Sequence, residues 1–335
     1  MDKRRYPWLP VGPTADPTDP LAWVTLGAFT SGMLLLGLFV RRSRTVPSPI
    51  LDLRLFQNPV FRTANVATFF FGAAFMSVTI FLPLFLVNVL GVSATRAGAA
   101  LIPFSLGIVF GATVSGQIVS RVGYRRQIFL GALVFLACVV LLSRMDADTS
   151  YARVTLYMVL CGLGVGPSMP LFTLAVQNAV DVRMVGQATS ASQFFRQIGA
   201  TIGAAVMGTV LGTTLGIAFS AIELPVTVPA LRDAAPGEFV STGGAELPAR
   251  IRAAYGALAR AEPTPAASQA LQEEGEEVAA RVSLQIREAF TAATRRIYGL
   301  TAVLMAVAAV LTLRIPELKL RTTHDRAGPS EAMPP

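Results

Sequence analysis

Seven apolar stretches, none containing an Asp, Glu, Lys or His, set the terms for this chain: residues 21–40, 64–88, 97–119, 127–143, 154–176, 188–215 and 297–313. A helix needs about 20 mostly apolar residues to cross a bilayer. The fourth and seventh stretches are near the short limit. The first is too long for a signal-peptide core and is followed by no convincing cleavage site, so it reads as a retained anchor.

Composition excludes the alternatives. The 335 residues are 53% hydrophobic and only 14% charged, against about 25% charged in an average soluble domain. So much apolar surface does not fit inside one soluble core, and disordered chains are polar. The expected class is an all-α polytopic membrane protein with seven transmembrane helices.

The net charge is +8. The basic residues cluster in short loops between apolar runs, as the positive-inside rule describes, rather than in a nucleic-acid-binding patch. One side of a seven-span topology holds Arg41, Arg42, Arg44, Arg54, Arg62, Arg121, Arg125, Arg126, Arg183, Arg314, Lys319, Arg321 and Arg326; the other holds Lys3, Arg4, Arg5, Arg96, Arg144 and Arg153. The richer side is assigned to the cytoplasm of a multi-pass plasma-membrane protein, with the N-terminus outside and the C-terminus inside. Lys3-Arg4-Arg5 fits this poorly unless an earlier span precedes Met1. Cys138 and Cys161 lie inside apolar runs and read as small buried apolar residues, not as a disulfide or a metal site.

The chain divides into an extracytoplasmic segment (1–20), a linker span (21–40), a cytoplasmic interfacial segment (41–63), five spans (64–215), an extracytoplasmic loop (216–296), a last span (297–315) and a cytoplasmic tail (316–335) that reads as disordered from Thr322. The first part of the long loop is rich in Pro and Gly. Then Ile251, Tyr255 and Leu258, and later Val278, Val282, Ile286 and Phe290, recur at helical spacing. Two amphipathic helices joined at Glu262-Pro263-Thr264-Pro265 are expected. The acidic run Glu273 to Glu277 reads as a solvated first turn; binding of cationic molecules is the other reading.

After the third span the sequence runs Gly116-Gln117-Ile118-Val119-Ser120-Arg121-Val122-Gly123-Tyr124-Arg125-Arg126. On its own it reads as a positive-inside turn, with Gly123 permitting the bend. It also resembles the cytoplasmic loop signature of the major facilitator superfamily, Gly-x-x-x-Asp-Arg-x-Gly-Arg-Arg/Lys. Gly116, Arg121, Gly123, Arg125 and Arg126 match; Ser120 replaces the family's Asp and Tyr124 an Arg. In the family this loop locks one conformation through charge contacts with helix ends.

Further pieces follow in the same order: Phe56-Gln57-Asn58-Pro59-Val60-Phe61, then Phe81-Leu82-Pro83-Leu84-Phe85-Leu86, then Gly162-Leu163-Gly164-Val165-Gly166-Pro167-Ser168-Met169-Pro170, then Gly186-Gln187-Ala188-Thr189-Ser190 and Phe195-Arg196-Gln197-Ile198-Gly199. The succession is similar to the last seven spans of the 14-span drug:proton antiporter branch. The resemblance implies proton-coupled efflux of amphipathic small molecules by alternating access, with the lipid bilayer and an N-terminal transporter half as partners.

Arg196 sits inside the sixth span, where an unpaired charge is costly. It is expected either on a substrate pathway or gate, or in a structural role, tying neighbouring backbone carbonyls together or snorkelling to the cytoplasmic face. Gln193, Gln197, Asn65, Asn88 and Gln177 are the other polar side chains assigned to the pathway. Gly199, Gly203, Gly208 and Gly212 form a small-residue stripe for close helix packing. Pro83, Pro103, Pro167 and Pro170 are expected to kink their spans. All 20 acidic residues lie outside the spans and the lone His324 is in the tail. A proton path needs such a group, and in the resembled branch the carboxylates that carry protons lie largely in the N-terminal half.

Hydrolytic and redox constellations, metal clusters and phosphate loops are missing, so no enzyme and no cofactor is expected. A non-transporting sensor or scaffold, or a non-functional truncated product, are the alternatives. Retinal binding is excluded, because the only lysines are Lys3 and Lys319.

Overall fold

The structure, a computed structural model, describes residues 20–46, 49, 51–221 and 247–316. The basic N-terminal cluster, the Pro/Gly-rich part of the long loop and the tail lie outside the described residues. The helices are α1 (Pro20–Thr45), α2 (Pro59–Asn88), α3 (Ala94–Ala99), α4 (Leu101–Val122), α5 (Tyr124–Leu142), α6 (Tyr151–Asn178), α7 (Val185–Ser220), α8 (Leu247–Ala261) and α9 (Pro265–Leu313), with 3-10 turns at Leu53–Gln57 and Val182–Met184.

Six helical segments among the described residues are long and apolar enough to cross a membrane, with mean hydropathy from 1.7 to 2.2. They coincide with the second to seventh apolar stretches. The first stretch forms α1, whose described side chains from Trp23 to Phe39 are all exposed. The third span is two helices, interrupted at Ala100. Pro103 explains the break: it has no N–H for the carbonyl four residues back, at Ala99, and its ring crowds that carbonyl.

Each start has a local cause. Asn58 Oδ1 accepts from the N–H groups of Val60 (2.9 Å) and Phe61 (3.3 Å), and Pro59 follows it with a pre-set φ. Ser150 caps α6. Gly123, at φ +85°, joins α4 to α5 in a conformation that L side chains rarely adopt.

Glycine spacing along α6 fixes the packing around it. Gly162 and Gly166, one turn apart, face α4; Gly164 faces the other way, onto α5. A Cβ on Gly164 would meet the Phe135 N–H nitrogen at 2.5 Å, and one on Gly107 of α4 would meet the Val159 carbonyl of α6 at 2.7 Å. Backbones this close maximise dispersion contacts, which drive helix association in lipid.

The same approach corrects the cysteine reading. Cys138 of α5 and Cys161 of α6 are buried as expected, but they form a disulfide with Cα atoms 5.5 Å apart. They lie 23 residues apart in different apolar runs. Only the close antiparallel approach of α5 and α6 brings them to one level.

The two amphipathic helices are present. Ile251 and Tyr255 of α8 bury against the α9 side that carries Gly275, Ala279 and Val282, and a Cβ on Gly275 would meet Tyr255 Cβ at 2.6 Å. Two expectations change. The acidic run is not a first turn, because α9 starts at Pro265, eight residues before Glu273; the run is solvated, and Glu276 pairs with Arg252 at 2.9 Å. Nor does the helix break at 297. It runs unbroken for 49 residues, about 73 Å at 1.5 Å per residue, more than twice the hydrocarbon thickness. No proline lies within it after Pro265, and the buried stripe Val282, Ile286, Phe290, Ala293, Ile297 passes through the boundary without a shift in phase.

Arginines on α9 hold the hairpin to the bundle. Arg287 donates to the carbonyls of Val89 (2.9 Å) and Ala147 (3.2 Å), Arg295 to Met145 (2.8 Å), and Arg296 to the Thr214 hydroxyl (3.4 Å). In the same α5–α6 turn the Thr149 hydroxyl donates to Asp146 at 2.8 Å. That bond is the main cause holding the Asp146 carboxyl below its ordinary value, with Arg295 and Arg153 adding to it.

Candidate functional site

Deep packing between α2 and α7 creates the site. Gly72 of α2 lies against the backbone of Arg196, Gly199 of α7 against that of Phe69, and a Cβ on Gly203 would come within 2.6 Å of Ala73 Cα. Gly208 and Gly212 continue the stripe in sequence, yet a Cβ on either would meet nothing within 4 Å. Close packing uses the first half of the stripe only.

Beside this contact α6 completes a small cleft. Thr68 and Phe71 come from α2, Met169, Phe172 and Thr173 from α6, and Ser192, Gln193 and Arg196 from α7. Phe71 and Phe172 are buried, with ring centroids 5.9 Å apart, and Phe71 also meets Phe135 at 5.4 Å. Arg196 is partly buried and lies 11 residues into α7, about 16 Å from its start. Its Nη1 points at Met169 Sδ, 3.6 Å away, and Nη2 donates to Gln193 Oε1. A guanidinium carries five N–H donors; the others meet no hydrogen-bond acceptor among the described residues. The cleft thus joins aromatic walls, a thioether, hydroxyls and one cation with donors to spare.

Of the six pathway residues expected from sequence, the structure brings together Arg196 and Gln193. Gln197 is exposed on the outer face of α7. Asn65 is buried elsewhere on α2 and donates to the Phe61 carbonyl at 2.8 Å. Asn88 stands at the hairpin end, in a cavity with Ser283 and Arg287. Gln177 donates to the Thr189 hydroxyl at 2.9 Å, tying the end of α6 to the start of α7. Spacing does not single out Thr68, Phe71, Met169 or Phe172. Met169 between Pro167 and Pro170 is the nearest signal, since a pair of prolines marks a helix that bends at that level.

The expected loop signature spans the α4–α5 junction: Gly116 and Arg121 lie in the last turns of α4, Gly123 joins the helices, and Arg125 and Arg126 lie in the first turn of α5. Arg125 donates from Nη2 to the Leu313 carbonyl at 2.5 Å, and the Tyr124 hydroxyl donates to the Pro316 carbonyl at 2.7 Å. A cation at the carbonyl end of α9 is electrostatically favoured. Arg121 and Arg126 are exposed, and a Cβ on Gly116 would meet nothing within 4 Å.

Residues 12–204 match the family model of the Major Facilitator Superfamily. The chain is 34% identical over 180 residues to the multidrug transporter protein MdtP of Bacillus subtilis, covering 54% of this chain and 33% of that protein. It is 33% identical over 158 residues to multidrug resistance protein 3 of the same organism (47% and 31% covered), and 28% identical over 177 residues to the tetracenomycin C resistance and export protein of Streptomyces glaucescens (53% and 33%). The matched region is about a third of the length of each of these relatives. With more than half of its residues inside the family match, and a bundle of apolar helices to go with it, the chain belongs to the major facilitator superfamily.

Proposed function

We propose that this chain is the C-terminal portion of a proton-coupled multidrug efflux transporter that exports amphipathic small molecules by alternating access. The observation that carries the reading is the cleft at Arg196. Apolar aromatic walls with a few placed polar groups suit amphipathic ligands; Arg196, Gln193 and the hydroxyls of Thr68 and Ser192 supply those groups, and because the cleft itself has a volume of only about 10 Å³ it serves as one wall of a cavity that facing helices complete. The names of its relatives, multidrug transporters and an export protein, support the same class.

In this reading α1 is a seventh, linker span. The loops with Arg41, Arg42, Arg44, Arg121, Arg125 and Arg126 face the cytoplasm, and the α8–α9 hairpin faces outward. The apolar stretches themselves contain no Asp, Glu or His, so the proton moves on carboxylates supplied by further helices. Gln197 and Asn88 then face the route of the substrate only at its edges, and Asn65 and Gln177 stabilise the helices that line it.

Ethidium accumulation in cells tests this. Cells expressing the chain together with the N-terminal spans of a relative are expected to exclude the dye in a manner that collapses with the pH gradient. Cells expressing the chain alone are expected to accumulate it like empty-vector cells. Gradient-dependent exclusion by the chain alone overturns the proposed division of labour.

A further inference from the structure

Where the apolar run of α1 ends, Arg41, Arg42 and Arg44 follow within one turn. The chain then passes through Pro49 to the 3-10 turn at Leu53–Gln57, and a cavity opens between the two, lined by Ser43, Arg44, Thr45, Pro49, Asp52 and Arg54. Arg44 and Arg54 are exposed, and among the described residues neither guanidinium has a hydrogen-bonding or ionic partner. The cavity also carries one carboxylate, Asp52, whose Oδ1 accepts from the Arg54 backbone N–H at 2.9 Å; set against Arg44 and Arg54 it leaves the lining with a net positive charge.

The far wall is anchored to the bundle. Gln187 of α7 donates to the Pro49 carbonyl (3.1 Å) and accepts from the Asp52 N–H (3.2 Å), and Leu55 is buried beneath the turn. Two guanidinium groups ten residues apart in sequence therefore border one basic cavity whose floor is fixed.

We propose that this cavity binds the phosphate group of an anionic phospholipid, held by Arg44 and Arg54. The guanidinium fork matches phosphate oxygens, and basic pockets beside membrane helices are where such headgroups dock. Free phosphate offers the same oxygens. A lipid adds acyl chains, which lie along the exposed Leu36, Leu38 and Phe39 of the last apolar turns of α1. The proposal rests on the reading of α1 as a helix in the bilayer.

Native mass spectrometry of the full chain from mixed phosphatidylcholine and phosphatidylglycerol micelles tests it. The wild type is expected to retain phosphatidylglycerol preferentially, and the Arg44→Gln/Arg54→Gln variant to lose that preference about ten-fold. Arg121→Gln/Arg126→Gln, which removes two exposed arginines elsewhere, keeps it. Inorganic phosphate at matching concentration is expected to leave the lipid bound. Unchanged retention by the Arg44/Arg54 variant overturns the site, and displacement by inorganic phosphate overturns the lipid as its occupant. A separate measurement checks the underlying reading: Ser31→Cys, labelled in vesicles with a membrane-impermeant maleimide, is expected to stay unreactive. Full labelling there removes α1 from the bilayer whatever the arginines bind.

Discussion

Arg287 of α9 donates from Nε to the Val89 carbonyl at the end of α2, 2.9 Å away, and from Nη2 to Ala147 in the α5–α6 turn. One side chain thus joins three elements that are far apart in sequence. Hydrogen bonds from a charged donor contribute about 1.5–3 kcal/mol each when the acceptor is otherwise left buried. Arg287→Ala is expected to lower the melting temperature of the purified chain. Arg287→Lys recovers only part of the loss, because an ammonium lacks the planar fork that reaches two carbonyls at once.

The small-residue stripe of α7 separates into two halves with different responses. Gly203→Leu forces side-chain atoms into the Ala73 backbone and is expected to destabilise by about 1–3 kcal/mol, as overpacking does. Gly212→Leu, with open space at its Cβ position, is expected to be tolerated. Thermal unfolding in detergent distinguishes the two.

That difference also marks how far the sequence can be read. The spans are legible because lipid imposes a length and an apolar composition on each, and the α8–α9 hairpin because Ile251, Tyr255, Val282 and Ile286 repeat at helical spacing. Packing partners are not. Gly199 and Gly212 look alike in sequence, yet only the first lies where α2 crosses. Polar residues inside spans are visible one by one, but Asn65, Asn88 and Gln177 each satisfy a local need at a different level of the bundle. Arg196 stands out because its charge is expensive in lipid, whereas the apolar partners around it, Phe71, Met169 and Phe172, resemble every other core residue.

The Cys138–Cys161 bond makes a third prediction. The denatured, unreduced chain is expected to carry no maleimide-reactive thiol and the reduced chain two. Cys138→Ser alone should expose one thiol, at Cys161. Mass spectrometry after alkylation counts them, and two reactive thiols without reductant would mean that the α5–α6 contact is not covalently closed.

The most direct test of the central claim, that the cleft beside Arg196 lies on the substrate route, is protection of a cysteine placed in it. Thr68→Cys is introduced into the chain co-expressed with the N-terminal spans of a relative, and its alkylation rate is measured with and without an exported dye. Ala280→Cys, on the exposed side of the hairpin, serves as the reference. The dye is expected to slow alkylation at Thr68→Cys and to leave Ala280→Cys unchanged. Equal rates at Thr68→Cys with and without a dye that the same cells demonstrably export would contradict the claim.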